Sequence, residues 1–122
     1  MEGRNAEDLL QASLLGDAVD AAPIAVYVGD DDFRYLAVNR AACDLLGYTR
    51  EELMRLRVHD ILTSPRERLQ EEFERFQRTR AARGDTELRR KDGTTVPVRH
   101  VTMETRLGGM PVFVSFVSPR EA

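Results

Sequence analysis

After Gly84 the chain changes period. Thr86–Lys91, Thr94–Arg106 and Pro111–Val117 alternate apolar with polar residues, and the breaks between them are Asp92-Gly93 and Gly108-Gly109. Glycine-bearing pairs between runs of period two are hairpin signals, because glycine accepts the positive φ that tight turns demand. The last third of the chain is thereby committed to an antiparallel meander with one apolar face that other elements must cover.

The cover is helical. Ile24–Val28 and Phe33–Val38 read first as a strand pair around the polar turn Gly29-Asp30-Asp31-Asp32. Asn39 then caps a short helix over Arg40–Leu46, with Gly47 placed to end it. Thr49 and Glu52 have the spacing at which cap and third residue bond each other reciprocally. Ser64-Pro65-Arg66-Glu67 repeats that spacing with proline at the first helical position, and predicts the longest helix, ending before Gly84. Leu69, Phe73 and Phe76 form its inner face, and Glu71/Arg75 and Glu74/Arg78 pair on the outer one. An earlier helix from Asn5 to about Asp20 carries Leu9, Leu10, Leu14, Leu15 and Val19 as an apolar stripe, and Ala21-Ala22-Pro23 ends it. Strands flank helices without βαβ alternation, so the fold class is α+β with an antiparallel sheet.

At 122 residues there is one core: residues 1–20 form the N-terminal amphipathic helix, 21–118 the domain and 119–122 a tail. A lone Cys43 excludes an internal disulfide and a Cys/His zinc cluster, and points to a reducing compartment. No apolar run approaches the roughly 20 residues that span a bilayer, and the N-terminus is acidic where a signal peptide would be basic. A cytoplasmic location is expected. The net charge of −3 argues against nucleic acid as partner. The seven bases between Arg75 and Lys91 read as a solvated face, or as a surface for the acidic N-terminal third of a second subunit.

Two segments carry a resemblance. Val38-Asn39-Arg40-Ala41-Ala42-Cys43-Asp44-Leu45-Leu46-Gly47-Tyr48-Thr49-Arg50-Glu51-Glu52-Leu53 is similar to the strand-to-helix segment of PAS domains ending in GYS/T-x-EEL. Glu87-Leu88-Arg89-Arg90-Lys91-Asp92-Gly93-Thr94 is similar to their E-x-R-x-x-(K/R)-DG hairpin. The resemblance covers roughly residues 21–118. It implies a five-stranded antiparallel sheet in the order 2-1-5-4-3, helices on one face, and a pocket between them in which bacterial sensors detect a small molecule, light, redox state or a partner. It also implies signalling to an output domain such as a histidine kinase or regulator. The family's last strand usually runs into D-I/V-T; here it reads Ser118-Pro119-Arg120-Glu121-Ala122, so either the sequence is cut at that junction or the coupling differs.

Cofactor chemistry is disfavoured. Flavin-binding relatives use a cysteine within NCRFLQ on a later helix, a segment not found here, and Cys43 reads as a small packed hydrophobe. Haem needs an axial ligand, and Pro65–Arg80 contains no His. His59 reads as a cap or surface residue. His100 continues the Val96/Val98 face if the strand keeps its period, whereas Val101 and Met103 suggest that the phase shifts there. A small acid/base enzyme would need an inward carboxylate, for which Asp60 and Glu87 are the candidates, and no nucleophile motif or phosphate loop accompanies them.

The reading is therefore a sensory PAS module, non-enzymatic by itself, and in the alternative a ligand-free interaction and dimerisation module. Leu46, Ile61, Leu62, Phe73, Val98, His100 and Ser115 are expected to line a pocket for a small apolar ligand, and Leu9, Leu10, Leu14, Leu15 and Val19 to form a homodimer contact. With no Trp to stack a flavin ring, no adduct cysteine segment and no His on the long helix, the purified protein should be colourless. Stoichiometric absorbance in the haem or flavin bands would overturn that expectation.

Overall fold

The computed structural model describes residues 6–120; the expected helix start at Asn5 and the tail residues Glu121 and Ala122 lie outside them. Helix α1 spans Ala6–Ala21, and strands β1 and β2 span Ala25–Gly29 and Tyr35–Val38. Helices α2 (Arg40–Leu46) and α3 (Arg50–Leu53) and a 3-10 turn (Val58–Asp60) precede α4 (Arg66–Thr79). Strands β3 (Ala81–Arg89), β4 (Thr95–Leu107) and β5 (Met110–Pro119) complete one antiparallel sheet in the order β2-β1-β5-β4-β3.

The sheet's inner face packs on α2 and α3, where Ala42, Leu46, Leu53 and Val98 are wholly buried. Asn39 organises this layer and is itself buried. Its Oδ1 accepts from the Val26 N–H at 2.9 Å and the Ala42 N–H at 3.0 Å, so one oxygen both ties β1 and caps α2. Its Nδ2 donates to the Val19 and Ile24 carbonyls, each at 2.8 Å, which anchors the end of α1. Gly47 at φ 78 ends α2 with its N–H on the Cys43 carbonyl, and Thr49 and Glu52 close a reciprocal capping box on α3. The far hairpin is clipped to these helices: the Lys91 N–H donates to the Leu46 carbonyl at 2.9 Å, Lys91 Nζ meets Glu52 at 2.5 Å, and Arg90 Nε donates to the Leu45 carbonyl at 3.1 Å.

Several expectations are corrected. Pro65 is itself the N-cap of α4 and no side-chain cap bond forms, since an extended residue at ψ 151 carries the chain into the helix without help from Ser64. At 14 residues α4 is shorter than α1 at 16. It stops at Arg80, in the left-handed conformation, and β3 starts at Ala81, so Gly84 lies inside a strand. Among the described side chains of α4 the ion pair is Arg68–Glu72 at 3.2 Å, and neither Glu71/Arg75 nor Glu74/Arg78 closes within 4.0 Å. Phe33 does not begin β2 but turns at φ 61, its N–H on the Asp30 carbonyl, while Asp30 Oδ1 accepts from the Asp32 and Arg34 N–H groups. The β4 register runs unbroken from Thr95 to Leu107, so no phase shift occurs at His100. Val101 and Met103 face outward, and Met103 and Phe116 leave apolar surface on the sheet's outer side. At about 100° per residue the five apolar residues of α1 spread over roughly 260° rather than one stripe, and all five are exposed.

Replacing Asn39 with Ala should lower the unfolding free energy by about 3 kcal/mol, the sum of a lost cap and a buried N–H left unpaired. Urea denaturation measures this, and a loss below about 1 kcal/mol, the size of one ordinary hydrogen bond, would show that the amide does not organise the layer.

Candidate functional site

Where α2 and α3 cover the sheet, side chains close on one another; under α4 they do not. A cavity of about 540 Å3 separates α4 and the 3-10 turn from the inner face of β5, β4 and β3. Its volume falls inside the range of roughly 300–1,000 Å3 typical of small-molecule sites. Small residues explain the gap at the sheet edge: the register sets Gly84 opposite His100 and Ala82 opposite Thr102, and a Cβ at Gly84 would meet nothing within 4 Å.

One wall is aromatic. Phe33 stacks on Phe73 with ring centroids 4.5 Å apart and lies 5.9 Å from Phe113, whose ring meets Phe76 edge-on at 4.7 Å. The Arg80 guanidinium lies over the Phe113 ring at 4.9 Å, and it donates to Asp31 Oδ1 at 3.1 Å and Glu104 Oε1 at 2.6 Å. Thus α4, the β1–β2 turn and β4 meet at one cation. The turn brings Phe33 into this wall because its left-handed backbone directs the ring away from the strand path.

The sheet wall is polar in one row. His100 Nδ1 lies 3.3 Å from Thr102 Oγ1, which lies 2.8 Å from Ser115 Oγ. Three side chains on two strands form a continuous chain of hydrogen bonds facing the cavity. Burial pushes the His100 pKa below its ordinary value of 6.5, against the opposing charges of Glu72 on α4 and Asp85 on β3. Burial likewise raises the phenols of Tyr27 and Tyr35, so both stay neutral; the Tyr27 hydroxyl donates to the Ala42 carbonyl at 3.1 Å.

Of the residues expected to line a pocket, Ile61, Leu62, Phe73, Val98, His100 and Ser115 lie on the cavity wall. Leu46 does not: it is fully buried in the packed core between α2 and the sheet. Phe33, Phe113 and Thr102 were missed, although Phe113 stands two residues before Ser115 and Thr102 two after His100, where an unbroken period would have found them. Cys43 is half-buried on α2, outside this wall, with its thiol pushed up by burial. His59 is exposed, 3.6 Å from Asp60, and Asp60 accepts the Arg57 N–H. Glu87 is exposed. Asn39 is the one buried polar residue among those described, so Asp60 and Glu87 are not the buried, unpaired acids that carboxylate catalysis requires. Among the described residues no cluster of three or more His, Cys, Asp or Glu could hold a metal ion.

The family profile that describes a PAS domain matches residues 23–117. No curated protein matches the chain. Solved structures share the fold at low identity. A PAS domain from a two-component sensor histidine kinase is 20% identical with a TM-score of 0.81, over 92% of this chain and 98% of that one. The PAS domain of an HTR-like protein from Haloarcula marismortui is 21% identical at 0.80, over 92% and 93%. A PAS domain of a LuxR-family transcriptional regulator from Burkholderia thailandensis, solved in complex with ethanol, is 14% identical at 0.69, over 85% and 95%.

A histidine whose pKa is lowered in the fold must become charged in the unfolded chain first. Its contribution is therefore complete above pH 6.5 and is lost as pH falls from 6.5 through the lowered native value. Stability of the wild type should decline over that window, and His100→Gln should flatten the decline in a pH series of urea midpoints. An unchanged slope in the variant would show that His100 is not desolvated.

Proposed function

The chain belongs to the PAS domain family, and on that premise we propose that it is a sensory signalling module, non-enzymatic by itself, whose cavity takes up a small ligand with a largely apolar body. The observation that carries this reading is the unfilled space of about 540 Å3 between α4 and the sheet, bounded by an aromatic wall on one side and one polar row on the other. Concave sites of this size, mostly apolar with a few convergent polar groups, are the usual form of small-molecule pockets. A related fold crystallised with ethanol, and others come from sensor histidine kinases, which supports ligand uptake coupled to a histidine kinase or regulator as output. Neither haem nor flavin is part of this proposal.

Coupling would run through the surfaces that the domain leaves uncovered. Leu9, Leu10, Leu14, Leu15 and Val19 are between 43% and 61% exposed, and α1 meets the domain mainly at its end, through Asn39 and an Arg50–Asp20 ion pair at 2.8 Å. A helix that exposes leucine around most of its circumference is the second element of the proposal: a homodimer contact, which also serves the alternative reading as a ligand-free interaction module. No described helix is long and apolar enough to cross a membrane.

Native mass spectrometry of the purified chain tests both elements together. A bound small molecule, or a fragment screen with hits in the cavity, supports the sensor; a cavity that admits nothing leaves the interaction module. Leu14→Asp or Leu15→Asp should halve the mass in light scattering while circular dichroism persists, because a carboxylate in an apolar seam is poorly solvated. Wild type that is monomeric at ~100 μM, where even a micromolar dimer forms, would overturn the dimer.

A further inference from the structure

We infer that the ligand of this cavity is an amphiphilic carboxylate, an acid with an aryl or medium-length alkyl body; the inference rests on the sensory reading above. The body is dictated by Phe33, Phe73, Phe113 and Ile61, which offer ring faces and methyl groups and no hydrogen bond. The head is dictated by the sheet wall and by the row of α4 side chains that borders the cavity. On that row Arg68, Glu72 and Arg75 stand on one face of the helix. Glu72 pairs with Arg68 at 3.2 Å, and its carboxylate still favours the charged form of His100 against the larger effect of burial. Arg75, one turn on from Glu72, is exposed and has no ion-pair partner among the described residues. Arg75 is therefore an α4 guanidinium without an ion-pair partner at the border of a cavity whose sheet wall carries a half-buried, neutral histidine, whereas Arg83, likewise without an ion pair among the described residues, stands opposite the outward-facing Val101.

The hydrogen-bond row then selects the head group. His100 Nδ1 is engaged by Thr102, which leaves Nε2 for a ligand. A carboxylate only accepts hydrogen bonds, so it stabilises the tautomer with hydrogen on Nε2. Nδ1 must then accept from the Thr102 hydroxyl, and Thr102 in turn accepts from Ser115, so all three groups are satisfied in one direction. An alcohol can accept in the same way but brings no charge to Arg75, while an amine would meet the guanidinium as a like charge. The order of preference is acid, alcohol, amine.

Matched pairs test the inference: octanoate against octanol, and phenylbutyrate against phenylbutanol, titrated into the 15N-labelled full chain near pH 7, where carboxylic acids are ionised. At least one acid should shift the amides of Thr102, Ser115 and Gly84 and bind about tenfold more tightly than its alcohol, the step expected when a neutral hydrogen bond becomes charge-assisted. Arg75→Ala, a change at an exposed position, should abolish that preference while alcohol binding is unaffected, and Arg75→Lys should restore part of it. Equal binding of acid and alcohol, or a preference that survives Arg75→Ala, overturns the carboxylate and leaves the ligand pocket standing. Cavity amides that stay fixed with both pairs overturn the pocket reading along with it.

Discussion

A single buried amide holds the architecture in register. Asn39 spends all its hydrogen-bonding capacity on four backbone groups from three elements: the end of α1, both sides of the entry to β1, and the first turn of α2. Any one of these bonds is worth little net, but each buried backbone group left unpaired costs far more. The amide therefore acts as a constraint more than a glue. It forces the chain leaving β2 to turn into a helix at one place, and everything that packs on α2 inherits that position.

From there the helical layer divides into two halves of different character. Around α2 and α3, caps, core leucines and the Lys91 clip meet the sheet without space to spare. Around α4 the contacts are a few aromatic rings and one guanidinium, and the neighbouring strand carries alanine and glycine where it could have carried bulk. The firm half keeps the fold and the loose half provides the space. Both follow from which residues β3 presents: Leu88 at the clipped end, Gly84 and Ala82 at the open one.

Much of this is legible in the sequence. Local signals with a mechanism, the Asn39 cap, the Gly47 stop, the Thr49–Glu52 box and the two glycine turns, each appear where the sequence places them. What failed were inferences about geometry at a distance. Ser64 and Glu67 have capping spacing, yet Pro65 already supplies the extended residue that enters α4. Val101 and Met103 look like core residues and so suggested a slipped phase; they belong instead to an outer face that stays apolar. The helix that carries Leu46 faces the sheet, which suggests the cavity, but helix faces alone do not say which half of the sheet they meet. Phe33 reads as strand because aromatic residues favour strands, and nothing local marks it for a left-handed turn.

That turn has a partner. Phe33 and Arg80 are the two residues other than glycine with positive φ among those described, at 61° and 58°, and both pack against the same ring, Phe113. Each conformation costs on the order of 1–3 kcal/mol and persists only while its surroundings enforce it. The packing of α4 against the sheet thus carries an energetic debit at two corners, the β1–β2 turn and the α4–β3 junction, and both corners lean on the ring of Phe113.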